Sequence, residues 1–393
     1  MKKKDIEAVL KKYDLKNLTI GVLGGHSALD VYHGAMKLGF DNVVVCQKGR
    51  EKTYTKYFRR GKNKGCVGNV ILVDKFEDIV KPVVQKELRK LNTIFIHNRY
   101  FWVYCDFKKI EKDFMVPIFG LRSGVKLEER DQPLNQYHLL QKAGIRIPKI
   151  IREGNGKMKD AELAKALEIH FKKNNGGPLM VKVSEAMRGY ERAFFIATSV
   201  KNFHKQAEKL IKKGRITKES LDNSVIEEFV VGAPINLNFF YSPLSGGLEL
   251  MGTDTRRQTD LDGFLRLSFV AQKRLLSHGF VPKMIETGHY AVTMKESLLE
   301  KAYEIGEKFV KVMKKEVPPG IIGPFALQGA VAAGDGKEEF VIFDVSMRIP
   351  GSPGVKYTPY SGYLYGESVS YGERIAMEIK EAAEKGKLKE ILT

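Results

Sequence analysis

Three cysteines in 393 residues, Cys46, Cys66 and Cys105, are too few and too scattered for a disulfide framework or a zinc site. Long apolar runs are also lacking: none approaches the ~20 residues a membrane helix needs. The basic start, Met-Lys-Lys-Lys-Asp-Ile-Glu, leads into no apolar signal region. A reducing, cytoplasmic setting with no membrane partner is therefore expected. Acids are in short supply, 47 against 66 Lys+Arg, which leaves a net charge of +19. Such an excess favours polyanionic partners, either nucleic acid or small phosphorylated ligands. There is no internal repeat and no low-complexity linker. There is no Walker loop, Gly-x-Gly-x-x-Gly, His-Glu-x-x-His, Gly-x-Ser-x-Gly or Cys-x-x-Cys, and the eight histidines are dispersed.

What is present reads as a folded chain, with 43% apolar and 29% charged residues. Leu18–Gly24 is a short apolar run ending in glycine, followed by a helical pattern to Leu38 and a second strand at Val43–Val45. With Thr93–His97 and Val116–Phe119 this predicts an open α/β layer over roughly the first 120 residues. A helix is predicted from Glu128–Asp131 through Leu140. Strands follow at 176–182, 194–197 and 225–231, with a helix at 205–213. Two further strands are predicted at Leu248–Gly252 and Phe264–Phe269. Next come a long helix at 298–315, strands at 325–330 and 340–345, and a closing helix at 373–384.

Several segments could carry chemistry. The turn Gly24-Gly25-His26-Ser27 lies where backbone N–H groups and a helix dipole bind anions, with Ser27 as N-cap or phosphate contact. An ordinary tight turn explains it equally well. Lys182, on a strand that leads into Arg188-Gly-Tyr-Glu-Arg192, could neutralise nucleotide phosphates; the bland alternative is a solvated strand lysine. Glu227 and Glu228 sit inside one apolar strand, so alternation sends them to opposite faces. Asp254–Gly263 carries Arg256 and Arg257, whose forks suit phosphate or carboxylate, in what reads as a loop between two strands. Gln328 and Asp344 are single oxygen-bearing side chains in two apolar strands. They would suit Mg²⁺ completed by phosphate and water, or a satisfied core pair. Arg348 precedes the small-residue turn 350–354. The run from Tyr54 to Lys64 mixes basic and aromatic residues and could stack RNA, although a solvated basic loop is the commoner outcome.

Ordered matches identify a resemblance: Leu-Gly-Gly-His-Ser-Ala-Leu-Asp (23–30), Val-Pro-Ile-Phe-Gly (116–120), Ala-Gly-Ile-Arg-Ile-Pro (143–148), Ile-Glu-Glu-Phe-Val-Val-Gly (226–232), Phe-Tyr-Ser-Pro-Leu (240–244), Gly-Pro-Phe-Ala-Leu-Gln (323–328) and Glu-Arg-Ile-Ala-Met-Glu-Ile (373–379). From about residue 18 to its end the chain resembles the archaeal PurP family. These ATP-grasp ligases make the formyl amide of the purine intermediate AICAR from formate and ATP. The resemblance implies an α/β Rossmann-like pre-ATP-grasp domain (1–124) and an α+β ATP-grasp domain (125–393), with a lid near 150–232 and a large part near 233–393. It implies Mg²⁺ and ATP, an AICAR-like phosphorylated amine, formate or another carboxylate, and a homo-oligomer; nucleic acid becomes a disfavoured partner. By position, His26, Ser27, Arg99 and Asp260 would meet substrate. Lys182, Arg188, Glu227 and Glu228 would serve ATP, Gln328 and Asp344 would hold Mg²⁺, and Arg256 and Arg348 would neutralise charge in catalysis.

The chain departs from the family in places. The glycine-rich phosphate loop is replaced by Glu185-Ala-Met-Arg188-Gly-Tyr190-Glu191-Arg-Ala193, and a substrate serine by Arg99. Acids and side chains there oppose phosphate approach. The alternatives are thus a non-catalytic or weakened paralogue that binds a nucleotide and, more remotely, an RNA-binding protein.

Overall fold

The computed structural model describes residues 3–130, 132–154, 157–173, 177–183, 194–280, 282–334 and 336–393. Its first layer is a parallel sheet of β1 (Thr19–Leu23), β2 (Asp41–Gln47), β3 (Asn69–Val73), β4 (Thr93–Ile96) and β5 (Ile118–Phe119). The order is β3-β2-β1-β4-β5. All five residues of β1 are buried, as expected of a strand covered on both faces. The winding reverses between β1 and β4, and ligands of such sheets bind at the crevice beyond the strand ends there. The loop after β1 carries His26 and the helix that follows β4 opens with Arg99, so two candidate residues far apart in sequence meet at that crevice.

The second layer is antiparallel: β6 (Ile150–Arg152), β7 (Leu179–Lys182), β8 (Phe194–Ala197) and β9 (Val225–Glu228), in the order β6-β9-β7-β8. Helices Asp160–Lys173 and Val200–Lys212 cover it through Leu163, Leu167, Phe203 and Ala207.

The third layer holds β10 (Gly232–Ser242), β11 (Gly247–Gln258), β12 (Glu286–Ala291), β13 (Gly323–Ala333) and β14 (Glu338–Ser346), antiparallel in the order β12-β11-β10-β13-β14. Side chains alternate across it. Phe239 joins the core under helix Leu299–Glu316, while its neighbour Phe240 joins the core under helix Tyr371–Glu384. That second helix also seats on Ala28–Lys37 of the first layer, backbone against backbone. A Cβ on Gly34 would lie 2.1 Å from the Gly372 carbonyl carbon. The chain end returns as well, with Ile118 and Thr393 exchanging backbone hydrogen bonds.

Three expectations need correction. The helix anticipated at Glu128–Asp131 starts at Gln136: Gly124–Glu128 is a 3₁₀ turn, Pro133 intervenes, and Asn135 caps Tyr137 and His138. Phe264–Phe269 is no strand but the junction of helices Leu261–Leu265 and Phe269–Ser277, capped by Ser268. Its alternating Leu265, Leu267 and Phe269 are exposed, so the pattern does not record burial. Arg256 and Arg257 lie not in a loop but in β11, which runs on to Gln258 against β12. The basic run beyond Tyr54 is largely exposed, its backbone anchored by an Arg59–Val67 bridge.

Candidate functional site

Two cavities meet where the three layers converge, and Arg99, Arg256, Gln328, Ser346 and Arg348 line both. The smaller, about 180 Å³, reaches under the second sheet to Lys182. The larger, about 710 Å³, opens toward His26, Ser27 and the 350–354 turn.

The smaller cavity is dense in paired charge. Lys182 ends β7 and faces inward because Val181 fills the core of the second layer on the other side. Its ammonium lies 2.5 Å from Glu227 Oε1 and donates to the Tyr137 hydroxyl at 2.9 Å. That hydroxyl donates in turn to Glu227 Oε2 at 2.5 Å. Burial brings the Lys182 pKa down to about 8 despite Glu227. Opposite, Arg130 lies 3.3 Å from Asp344 Oδ1. Gln328 and Asp344 are register partners on β13 and β14. The Arg256 guanidinium donates to Gln328 Oε1 and stands 3.6 Å from Asp344 Oδ2. Two hard oxygens thus converge on a cation, a donor set that fits Mg²⁺ when phosphate oxygens and water supply the remaining positions. Among the described residues no group of three or more His, Cys, Asp or Glu forms a metal cluster.

The larger cavity is built differently. The His26 ring packs against Gly351, where a Cβ would come within 1.5 Å of Cε1. Burial, then the Arg348 charge, brings its pKa down to about 4, so the imidazole is neutral near pH 7. Ser27 holds the helix N-cap position without capping; its hydroxyl donates to the Pro350 carbonyl at 2.7 Å and so fixes the 350–354 turn. Asn98 ties the β1 and β4 loops together by donating to the Leu23 and His26 carbonyls. Arg99 next to it forms no hydrogen bond or ion pair among the described residues. Arg348 is buried 3.7 Å from Glu128, and its Nε has no acceptor among the described residues.

One wall was not legible in the sequence. His289 on β12 sits between two acids. Its Nδ1 meets Asp254 and its Nε2 lies 3.0 Å from Glu286 Oε1. Asn236 and Asn238 donate to Asp254. Glu286 Oε2 lies 3.2 Å from Arg256 Nε, and its other oxygen is 3.7 Å from His26 Nε2. Burial opposes a charged His289, but the bonds to Asp254 and Glu286 outweigh it and raise its pKa to about 9. Burial likewise opposes a charged Glu286, and His289 and Arg256 bring it down to about 2. Dispersed histidines gave no hint of this, and nothing in the sequence singles out Tyr137.

Of the anticipated residues, His26, Ser27, Arg99, Lys182, Arg256, Gln328, Asp344 and Arg348 line the joined cavities, and Glu227 backs Lys182. Two lie elsewhere. Glu228 faces away, as alternation requires, accepting from the Lys149 N–H at 3.3 Å. Asp260 is exposed, and its carboxylate accepts from the Lys283 N–H at 3.2 Å. Arg188 and the rest of 184–193 lie outside the described residues.

Comparison with known proteins returned matches along the chain. Residues 20–151 match a protein of unknown function (DUF1246) and residues 202–393 a domain of unknown function (DUF1297). A 5-formaminoimidazole-4-carboxamide-1-(beta)-D-ribofuranosyl 5'-monophosphate synthetase of Methanopyrus kandleri is 34% identical over 393 residues, covering 100% of both chains. The crystal structure of an IMP biosynthesis protein PurP from Thermococcus kodakaraensis superposes with a TM-score of 0.65 at 24% identity, covering 95% of this chain and 100% of that one. An Aspergillus clavatus N5-carboxyaminoimidazole synthase, in complex with ADP and an aminoimidazole ribonucleotide, superposes at 0.55 with 16% identity, covering 93% and 78%. No helix among the described residues is long and apolar enough to cross a membrane.

Proposed function

The chain belongs to the 5-formaminoimidazole-4-carboxamide-1-(beta)-D-ribofuranosyl 5'-monophosphate synthetase family, of ATP-grasp fold, and on that premise we propose that it is an ATP-dependent ligase joining formate to the amine of AICAR. The observation that carries this reading is the pair of joined cavities: one holds a buried lysine and two converging oxygens, and the other a neutral histidine and an arginine with no ion-pair partner. The first suits a nucleotide with Mg²⁺, the second a phosphorylated amine and a small carboxylate.

In this reading the nucleotide lies beside Lys182, whose charge Glu227 and Tyr137 hold in place. Gln328 and Asp344 would hold Mg²⁺, which when bound screens the phosphate charges. A carboxylate oxygen attacks the γ-phosphorus and ADP leaves, giving an acyl phosphate. The amine then attacks its carbonyl carbon and phosphate departs. Arg256 and Arg348 face the junction where negative charge accumulates and stabilise it through preorganised donors. Neutral His26 can accept the proton the amine loses. Arg99 at the crevice mouth binds the substrate phosphate. The parts of the machine are an N-terminal unit (1–124) and an ATP-grasp unit (125–393), the latter with a lid near 150–232 and a large part near 233–393. A homo-oligomer is part of the proposal, supported by the exposed apolar side chains Leu265, Phe269, Val270 and Leu276.

The route moves one oxygen from the carboxylate to phosphate. Turnover with formate labelled at both oxygens with ¹⁸O should therefore yield phosphate carrying one ¹⁸O. Unlabelled phosphate alongside formyl product would overturn the acyl-phosphate step. A second reading, a paralogue that binds nucleotide without turnover, draws on Glu185, Tyr190 and Glu191 in the phosphate-loop segment. Calorimetric ATP binding with no product under any carboxylate–amine pair would favour it.

A further inference from the structure

The catalytic reading uses Arg256 but leaves unexplained why the cavity wall behind it carries a histidine locked between two acids. Arg256 spans the junction. Its Nη2 end reaches Gln328 and Asp344, while its Nε edge faces Glu286 Oε2 at 3.2 Å. A divalent cation taking the Gln328 and Asp344 oxygens would compete with the guanidinium for both. Glu286 is then the acceptor that remains to hold Arg256 at the junction. Glu286 sits on an exposed edge strand and is itself about one-third exposed, so it needs an anchor. His289 supplies one, binding Oε1 at 3.0 Å and leaving Oε2 for Arg256. His289 is in turn fixed by Asp254, which is fully buried and held by Asn236 and Asn238.

We propose that His289 is a positioning residue for the ligase reaction, anchoring the Glu286 carboxylate that tethers Arg256 at the junction of the two cavities. The inference rests on the ligase reading above. Both ring nitrogens face carboxylates, so the ring works as a doubly protonated strut. The other groups facing it are His26 from the β1 loop and the Ser352 hydroxyl, 3.3 Å from Nδ1.

Three measurements on the full chain test it. In kinetics, His289→Gln should lower kcat about 10- to 100-fold, the usual cost of losing an orienting partner. The dissociation constant for Mg-ADP should stay within about twofold, since a global packing defect would disturb both. Glu286→Gln should match it, and the double variant should be no worse than either single, because the two act as one unit. Imidazole added to His289→Ala should recover part of the lost rate, which a structural role would not allow. A kcat within twofold of the parent, or additive losses in the double variant, would overturn the proposal. If the parent shows no ligase turnover, the ligase reading fails first. Nitrogen-15 NMR then judges the strut alone. An imidazolium at pH 7.5, with an Arg256 Nε–H resonance that shifts in His289→Gln, supports it. A neutral tautomer, or an unmoved Arg256 resonance, refutes it.

Discussion

The two cavities share five residues, and most of the charge around both is paired within the protein, with one exception in the shared wall. Around the smaller one cations and acids are already matched: Lys182 with Glu227, and Arg130 and Arg256 with Asp344. Around the larger one His289, Glu286 and Arg256 are paired as well, but Arg99, in the shared wall, forms no hydrogen bond or ion pair among the described residues. A matched site is held in shape before any ligand arrives. An unmatched cation such as Arg99 takes its charge balance from a ligand. The matched pairs around Lys182 are therefore expected to contribute to stability, and Arg99 to ligand recognition.

Breaking the matched pairs should cost most. Lys182→Met leaves Glu227 buried without its cation, and one-sided removal of a buried pair costs about 3–5 kcal/mol. Chemical denaturation should register that loss, together with greatly weakened ATP binding by calorimetry. Arg99→Ala in the shared wall sharpens the contrast. No ion pair is lost, so stability should move by less than about 0.5 kcal/mol. The KM for the phosphorylated amine should rise about 10-fold or more, because a hydrogen bond to a charged group is worth about 1.5–3 kcal/mol. The KM for ATP should not follow.

A pH series offers a subtler test. His289 has its pKa raised to about 9 in the fold. Its contribution to stability is complete below its unfolded value of about 6.5 and disappears as pH rises through about 9. The difference in Tm between the parent and His289→Gln should therefore shrink steadily from pH 6.5 to 9.5. Smallest of all should be Asp260→Asn and Glu228→Gln, which lie off the cavity walls. Each should leave kcat/KM within about threefold, and a larger loss would mean the substrate cavity extends beyond its present walls.

How much of this was legible in the sequence follows from the kind of signal each residue leaves. The β1 turn with His26 and the late strands with Gln328 and Asp344 stood out because a polar or glycine position interrupts an apolar run. Four strands of the parallel layer were legible for the same reason, since buried strands leave near-continuous apolar words, whereas β3, an edge strand with only Val73 buried, was not. Strand β12 left no such word: Glu-Thr-Gly-His-Tyr-Ala is a polar edge strand whose residues are all exposed or part-exposed. His289 and Glu286 were hidden with it, because the His289 partner Asp254 lies 35 residues away and only strand pairing joins them. Phe264–Phe269 misled in the opposite sense, with alternating apolar residues that face solvent rather than a core. Arg99 was visible as a bulky cation, but its lack of an ion-pair partner is a property of the folded crevice.

The most direct test is ADP release by the purified full chain with Mg-ATP, formate and AICAR, each omitted in turn. The account predicts fast ADP release only when carboxylate and amine are both present, with one formyl product formed per ADP. ADP release indifferent to the amine, or none with any carboxylate–amine pair despite bound nucleotide, would contradict it.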